Sequence, residues 1–328
     1  VDGELEITPA EVTVTITGNN DTKTYNKAEQ KVEGYTVSDN SELYTEKDFT
    51  FSGEAVAKGT MAGEYPMGLA VSQFKNTNDN FKVTFEVTDG WLMITANELE
   101  VVVTITGKKD SVVYDGAEHS VNGYDVEISN PLYTEADFSF NGTAIATGTK
   151  VGEYPMGLAA SQFTNTNTNF TKVTFKVIDG KLDITPVTDE VVVTITENSG
   201  EYAYDGTEKT VEGYVVTSIS NSLYTANDFT FSGEATVSGT DAGSYDMALT
   251  AENFANTNKN FDNVTFKIVD GQLTINPIDV VVTITEHSGE VAYDGQEHSV
   301  SGYDVEISNS LYTEADFTFG GTAEVKGT

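Results

Sequence analysis

The stretch Phe170–Thr185, which runs FTKVTFKVIDGKLDIT, decides the fold class of this chain. Its first half alternates apolar with polar residues, which is the period of a half-buried β-strand. The dipeptide Asp179-Gly180 follows, and such a dipeptide accepts the positive φ angles of a type I′ turn. A two-residue turn fixes the register, so the sequence predicts a hairpin in which Val177 faces Leu182. The same pattern predicts hairpins around Asp89-Gly90 and Asp270-Gly271.

This stretch belongs to a repeat that occurs three times in full and begins a fourth time. The strand ending at Thr17 recurs to Thr106, Thr196 and Thr285, a spacing of 89, 90 and 89 residues. A period this long favours repeats that each have their own core. We predict the end of a preceding repeat, three full repeats and a partial fourth, with bounds 1–9, 10–97, 98–187, 188–277 and 278–328. The chain is therefore expected to be a window of a longer array.

The signals inside one repeat favour tandem immunoglobulin-like β-sandwich domains. About seven short strands fit, with turn signals between them. A second hairpin is predicted at Tyr114-Asp115-Gly116, and one helical turn at Thr134–Asp137, where Thr and Asp form a capping box. The alternative is a β-grasp-like domain, but its long helix has no candidate, because Leu158–Phe163 (LAASQF) spans only a turn or two.

The links between repeats are short, which favours an elongated array. Two of them begin with Pro186 and Pro277, whose fixed φ stiffens the connection. A repeat of this size forms a globule roughly 30–40 Å across, so a rod on the order of 100 Å is expected for the chain.

The composition argues against several classes of function. The formal net charge is −35, with 52 acidic residues against 17 basic ones, all of them Lys. Nucleic acid and anionic membrane surfaces are therefore not expected as partners. The chain has no Cys, which removes disulfides and thiolate chemistry. No run of 18 apolar residues occurs, so no membrane insertion is expected in this segment.

The ionisable residues do not predict an active site. Three His are present, and His119 and His298 occupy a position that holds Gln30 and Lys209 in other repeats. Exposed strand residues fit this variation better than catalytic or metal-binding ones. We therefore predict no enzyme and no cofactor. Calcium is the weaker alternative, because EF-hand spacing is missing and the recurring acids fit turns and caps.

Aromatic and amide side chains supply the candidate ligand contacts. Of 16 Tyr and 17 Phe, all but Tyr202 occupy positions filled identically in every copy, so we predict them in the core. Trp91 replaces polar residues of the other copies and is predicted to face solvent. The recurring Asn-Thr-Asn loops are good turn formers, and they are also the best candidates for hydrogen bonds to a glycan. The candidate contacts are Asn76, Asn78, Asn165, Asn167, Asn256, Asn258 and Trp91.

An ordered set of motifs recurs along nearly the whole chain: Tyr-Asp-Gly, Gly-x-Tyr, Asn-Phe-x-x-Val-Thr-Phe and Asp-Gly-x-Leu-x-Ile-Thr-Pro. This set resembles the MBG and YDG-type repeats of bacterial cell-surface adhesins. The resemblance implies an extracellular protein, secreted or anchored to the bacterial cell wall, in which these domains form the stalk. It also implies kinship with mucin-binding modules, but it supplies no ligand-binding residue to carry over.

Two hypotheses for the function remain open. The first is a structural stalk that projects a distal functional region from a bacterial cell surface. The second is multivalent binding of mucin or other host glycans, with affinity built up over several copies. Self-association into a filament is a variant of the first.

Overall fold

The chain is all-β. The computed structural model describes residues 2–328, and these form 34 short strands and seven 3₁₀ turns without an α-helix. The predicted tandem arrangement of β-sandwich repeats is confirmed. The β-grasp alternative lacks its helix, because the LAASQF segment forms only the 3₁₀ turn Ala160–Gln162. Each full repeat has ten strands rather than about seven, since polar strands such as Asn20–Thr24 carry no apolar alternation.

The strands follow the same order in every repeat. Repeat 1 holds β1 (Ala10–Gly18), β2 (Asn20–Thr24), β3 (Gln30–Glu33), β4 (Tyr35–Asp39), β5 (Phe49–Phe51), β6 (Val56–Gly59), β7 (Gly63–Pro66), β8 (Phe74–Asn76), β9 (Phe81–Thr88) and β10 (Trp91–Thr95). Repeat 2 holds β11 (Val101–Gly107), β12 (Lys109–Val113), β13 (His119–Asn122), β14 (Tyr124–Ile128), β15 (Phe138–Phe140), β16 (Ile145–Gly148), β17 (Gly152–Pro155), β18 (Phe163–Asn165), β19 (Val173–Ile178) and β20 (Lys181–Thr185). Repeat 3 holds β21 (Val191–Glu197), β22 (Gly200–Ala203), β23 (Lys209–Glu212), β24 (Tyr214–Ile219), β25 (Phe229–Phe231), β26 (Thr236–Gly239), β27 (Gly243–Asp246), β28 (Phe254–Asn256), β29 (Val264–Val269) and β30 (Gln272–Asn276). The partial repeat holds β31 (Val282–Glu286), β32 (His298–Ser301), β33 (Tyr303–Ile307) and β34 (Glu324–Gly327). The 3₁₀ turns are Glu46–Asp48, Val71–Gln73, Glu135–Asp137, Ala160–Gln162, Ala226–Asp228, Ala251–Asn253 and Glu314–Asp316.

Two three-stranded sheets and two short strand pairs make up a full repeat. In repeat 1 the sheets have the orders β4-β1-β9 and β2-β10-β7, and the pairs are β3 with β6 and β5 with β8. The first two strands run parallel to the last two, because β1 pairs with β9 and β2 pairs with β10 in parallel registers. Repeats 2 and 3 have the corresponding sheets in the same order.

The predicted hairpins around the Asp-Gly dipeptides are wrong. The strand β19 pairs with β11, whereas β20 pairs with β17 and β12, so Val177 does not face Leu182. The turn at Asp179-Gly180 instead carries the chain from one sheet to the other. The corresponding connections at Asp89-Gly90 and Asp270-Gly271 do the same.

In these three Asp-Gly connections the Gly is required by a close approach of two backbone segments, not by its φ angle. None of Gly90, Gly180 and Gly271 has a positive φ. A Cβ on Gly90 would overlap the backbone of Gly18 and Asn19, the segment that connects β1 with β2. The two connections therefore cross between the sheets side by side, and a side chain at Gly90 would separate them.

The predicted hairpin at Tyr114-Asp115-Gly116 is also wrong. The strands on either side of it belong to different pairs, because β12 joins β20 and β13 joins β16. Gly116 has φ +80°, so this motif does contain a turn with left-handed backbone. Repeat 1 places Lys27 at the same point with φ 71°, a conformation that L-residues other than Asn and Asp rarely adopt.

The core lies between the sheets and is completed by aromatic rings. Val14 of β1 and Leu92 of β10 have no exposed surface and belong to the same buried cluster. Phe49, Phe74 and Phe85 pack against one another, with ring centroids 5.5–6.0 Å apart. The corresponding rings of repeats 2 and 3 pack in the same way, so these recurring Phe residues lie in the core as predicted.

The chain divides into two compact units. The first contains repeats 1 and 2 up to Ile184, apart from Val113–Gly116. The second contains Val113–Gly116 together with Thr185–Thr328. The division into single-repeat domains at 10–97, 98–187 and 188–277 remains a prediction.

Candidate functional site

The Asn-Thr-Asn loop that follows β8 is fastened to the 3₁₀ turn Glu46–Asp48. The single O–H of Tyr44 is shared between two acceptors, the Asp48 carbonyl at 3.1 Å and Oδ1 of Asn76 at 3.0 Å. The Asn78 amide donates to the Asp48 carboxylate at 2.8 Å. One buried Tyr and one acidic residue therefore fix the position of both Asn side chains.

Asn76 uses its full hydrogen-bonding capacity inside the repeat. Its Nδ2 donates to the carbonyls of Asn78 and Phe81, each at 3.0 Å. Its Oδ1 accepts from the Tyr44 phenol and from the Asn78 backbone N–H at 3.0 Å. A side-chain amide offers two donor hydrogens and an acceptor with two lone pairs, so all positions are occupied. A ligand that bound Asn76 would have to displace an internal bond.

The same network recurs in repeats 2 and 3. The equivalent bonds are Tyr133 to Asn165 at 2.9 Å, Asn167 to Asp137 at 2.7 Å, Tyr224 to Asn256 at 3.0 Å and Asn258 to Asp228 at 2.8 Å. These bonds account for the recurrence of the loop through turn formation. Ligand contact by the six Asn residues remains a prediction.

The predicted capping box is confirmed. The Asp48 carboxylate accepts from the Thr45 backbone N–H at 2.8 Å and from the Thr45 hydroxyl at 3.0 Å. The hydrogen bond from Asn78, followed by the two from Thr45, holds the pKa of Asp48 below its ordinary value of 3.8. In repeat 2, burial of the Tyr133 phenol and the nearby charge of Asp137 raise the pKa of Tyr133 to about 12.

Trp91 is half-buried rather than fully exposed. It lies on β10, where its register partners are Pro66 on β7 and Asn20 on β2. The Asn-Thr-Asn loop follows β8, which belongs to a different strand pair. Trp91 and these loops are therefore separate candidates.

The His residues make local contacts. In the partial repeat, the His298 ring bonds the Asp294 carboxylate at 2.7 Å, and the His287 ring lies 3.2 Å from the Asp304 carboxylate. The hydrogen bond to Asp304 raises the pKa of His287 above its ordinary value. Across residues 2–328, no three His, Asp or Glu side chains are grouped closely enough to hold a metal ion.

Repeats 1 and 2 meet in a packed contact that we call the repeat joint, formed by Tyr25, Met61–Ala62 and Asn97 of repeat 1 and by Asn169 and Phe170 of repeat 2. The Phe170 side chain is 2% exposed and meets the Tyr25 ring edge to face, with centroids 5.6 Å apart. The Asn97 backbone N–H donates to the Asn169 carbonyl at 2.7 Å, and Asn97 forms a parallel bridge with Phe170. The link between the repeats is therefore itself paired with the second repeat.

The second unit contains the same joint between the Tyr-Asp-Gly turn and repeat 3. The Tyr114 ring meets Phe261 edge to face at 5.7 Å, and Phe261 is 1% exposed. Val187 of the link forms a parallel bridge with Phe261. Leu223 of repeat 3 lies against Gly116, close enough that an added Cβ would crowd it. The Tyr-Asp-Gly motif is therefore a docking element for the repeat that follows.

Sequence reasoning missed the joint. The available signal was that Tyr-Asp-Gly and Asn-Phe recur although both lie outside the apolar alternation of strands. The prediction places the Tyr and Phe rings in the core, and sequence alone does not show which of two repeats buries a ring.

A carboxylate caps the bend between the sheets in each repeat, half-buried in repeats 1 and 2 and buried in repeat 3. In repeat 2 the Asp179 side chain accepts from the backbone N–H groups of Gly157 at 3.1 Å and Leu158 at 2.9 Å. In repeat 3 the Glu197 carboxylate accepts from Leu249 at 2.6 Å instead. Glu197 occupies the position that Gly107 has in repeat 2. In repeat 3 the capping acid therefore lies at the end of the first strand, whereas in repeat 2 it lies between the last two strands.

Comparison with protein families identifies one domain. The model of the MBG domain matches residues 191–277, nearly the whole of repeat 3. Repeat 3 is therefore similar to the MBG domain, and repeats 1 and 2 share the strand order of repeat 3. The comparison with curated proteins finds no match.

Solved structures similar to the chain are tandem immunoglobulin arrays. They include the N-terminal eight Ig domains of Down Syndrome Cell Adhesion Molecule (9% identity, 90% of this chain and 39% of that one, TM-score 0.16). A second is the I9–I11 tandem of titin, with 13% identity over 81% of this chain and 99% of that one and a TM-score of 0.14. A third is Sidekick-1 immunoglobulin domains 1–5, with 8% identity over 88% of this chain and 65% of that one and a TM-score of 0.15. TM-scores this low carry no weight for the fold. Among the described residues, no helix is long and apolar enough to cross a membrane.

Proposed function

We propose that this chain is part of the stalk of a large extracellular protein at a bacterial cell surface, and that it projects a distal functional region. The observation that carries the proposal is the repeat joint, in which Tyr25 meets a buried Phe of the next repeat, as Tyr114 of the Tyr-Asp-Gly turn does in the second unit. A part whose function is length needs defined connections between its units. The joint supplies such a connection from residues that recur with the repeat.

The use of side chains within the repeats supports the same proposal. The recurring Tyr and Phe rings pack in cores and joints, and the recurring Asn side chains fasten loops. Chemistry for catalysis or redox cofactors is not part of the proposed role. A charge of −35 favours solubility and discourages association between exposed strand edges.

Mucin or other host glycans are the alternative partners, bound weakly by each repeat through Asn76, Asn78 and Trp91 or their counterparts. Self-association into a filament is a further variant. The ground for the glycan alternative is the kinship with mucin-binding modules that the sequence resemblance implies. Multivalency would then raise the affinity without new contacts in any one repeat.

A binding experiment separates the two functions. The whole chain is titrated against a mucin and glycan panel at physiological salt, beside an Asn78→Ala, Asn167→Ala, Asn258→Ala triple variant. The stalk proposal expects no binding by either protein. Binding that the triple variant loses would replace the stalk with the glycan function, and sedimentation at rising concentration would detect the filament.

The stalk proposal also requires an elongated chain in solution. A compact globule of 328 residues has a radius of gyration of about 20 Å. Small-angle scattering that returned this compact value would contradict the stalk, whatever the outcome of the binding panel.

A further inference from the structure

The repeat joint contains a buried polar side chain that the fold of repeat 2 does not itself require. Asn169 has no exposed surface. Its Oδ1 accepts the backbone N–H of Ala62 in repeat 1 at 2.7 Å. Its Nδ2 donates to Oδ1 of Asn167 at 2.7 Å and lies 3.6 Å from the Met61 sulfur.

A buried amide is tolerated only where its hydrogen bonds are made. The bond between Asn169 and Ala62 is made only when repeat 1 is held in one orientation relative to repeat 2. The edge-to-face contact of Tyr25 with Phe170 holds the repeats together but tolerates small rotations. The bond from Ala62 to Asn169 does not tolerate such rotations, because hydrogen bonds weaken steeply with misalignment.

We propose that the loop between β6 and β7 of repeat 1 is a docking surface for the Asn169-Phe170 pair of repeat 2, and that Asn169 is the positioning residue that fixes the orientation of repeat 2 on repeat 1. This inference rests on the proposed stalk function and names the partner of the joint, which is another repeat of the same kind. The loop between β6 and β7 spans Thr60–Ala62 in repeat 1.

The docking surface presents its backbone rather than a particular side chain. The donor is the N–H of Ala62, and the equivalent positions hold Val151 and Ala242. The preceding position varies more, from Met61 to Lys150 and Asp241. The bond to Asn169 therefore does not depend on the side chain at position 62.

Repeat 1 supplies a matched control for Asn169. Asn80 occupies the same position and makes the same local bonds, since its N–H donates to Asn78 at 3.1 Å and its carbonyl accepts from Ala10 at 2.9 Å. The Asn80 side chain is exposed, whereas Asn169 is buried in the joint. A substitution at Asn80 therefore reports the local effect on the loop without the effect on a joint.

The test uses the whole chain and amide hydrogen exchange of Ala62. We expect Asn169→Ala to accelerate exchange of the Ala62 N–H on the order of tenfold, because its acceptor is lost. Asn80→Ala should leave that rate unchanged. Unchanged exchange at Ala62 in Asn169→Ala would overturn the proposal.

Orientation is measured with spin labels, which the absence of Cys makes straightforward. Labels at exposed Glu54→Cys and Thr143→Cys report the distance between repeats 1 and 2. We expect one narrow distribution in the parent and in Asn80→Ala, and a broadened one in Asn169→Ala. An unbroadened distribution would overturn the positioning role, and so would a loss of thermal stability as large as that of the core variant Tyr133→Ala. Glycan binding by the parent chain would contradict the stalk without changing these distances.

Discussion

Replacement of Glu197 by Ala tests how the bend between the sheets is held in repeat 3. The Glu197 side chain is 3% exposed, and its carboxylate accepts the backbone N–H groups of Leu249 at 2.6 Å and Gly271 at 2.7 Å. Glu197→Ala leaves both donors without their acceptor. A buried donor left unsatisfied costs about 1–3 kcal/mol, so we expect a loss of about 2–6 kcal/mol in the stability of repeat 3.

Asp270→Ala is the matched control. Asp270 is the acid that the pattern of repeats 1 and 2 would place at this bend, but in repeat 3 it is exposed. Both substitutions remove one negative charge, so long-range repulsion changes equally. An exposed substitution of this kind should alter the free energy of unfolding by no more than about 0.5 kcal/mol.

Hydrogen exchange followed by mass spectrometry assigns the loss to a repeat. Protection of the amides of β30 reports repeat 3, and protection of β20 reports repeat 2 as an internal reference. We expect Glu197→Ala to reduce protection in β30 alone. Equal effects of Glu197→Ala and Asp270→Ala would refute the reasoning, because the position of the acid would then be irrelevant.

Four further results are expected. The pKa of Asp48 is lowered in the folded state, so its contribution to folding stability is present above the ordinary pKa of 3.8 and is lost as the pH falls. The stability difference between the parent and Asp48→Asn should therefore shrink in acid. A difference independent of pH would contradict this. The pKa of Tyr133 is raised to about 12, so the stability it contributes is present below about 10 and is lost as the pH rises towards the folded value; ultraviolet titration should show it ionising late. A double-mutant cycle of Tyr25→Ala and Phe170→Ala should give a coupling of about 0.5–1.5 kcal/mol in chemical denaturation, and strict additivity would argue against the aromatic contact. Gly180→Ala should destabilise repeat 2 and slow its folding, because the added methyl overlaps the crossing backbone; a variant as stable as the parent would show that the crossing can open.

Local signals in the sequence were sufficient where the predicted structure involved no pairing between strands. Thr134 and Asp137 are three residues apart, and the capping box they form depends only on that separation. The spacing of Thr17, Thr106, Thr196 and Thr285 likewise required no knowledge of contacts, and the recurrence of the strand order follows it.

Pairing between strands could not be predicted in the same way. An Asp-Gly dipeptide between apolar strands has the same sequence whether Gly is needed for its φ angle or for a close approach of two backbones. Gly180 belongs to the second kind, and its partner Gly107 is distant in sequence. The choice between a hairpin and a crossing therefore depends on contacts that the sequence pattern does not contain.

The candidate site shows the same limit. Asn76 was predicted as a turn former and as a ligand contact, and its hydrogen bonds are those of the turn. Phe170 was predicted as a core residue, and it is buried as expected. Its burial involves Tyr25 of the preceding repeat as well as Tyr133 of its own, which no periodicity within one repeat indicates.

The parallel pairing of the first and last strands has a mechanical consequence. A pull on the two ends of repeat 1 would draw β1 and β2 in one direction and β9 and β10 in the other. The rungs from Ala10–Phe81 to Thr17–Thr88, and from Asn20–Trp91 to Thr24–Thr95, would then be loaded together in shear. Strands loaded in this way cannot separate one hydrogen bond at a time, as the arms of a terminal hairpin would. We therefore expect this parallel pairing to make repeat 1 resistant to tension along the chain.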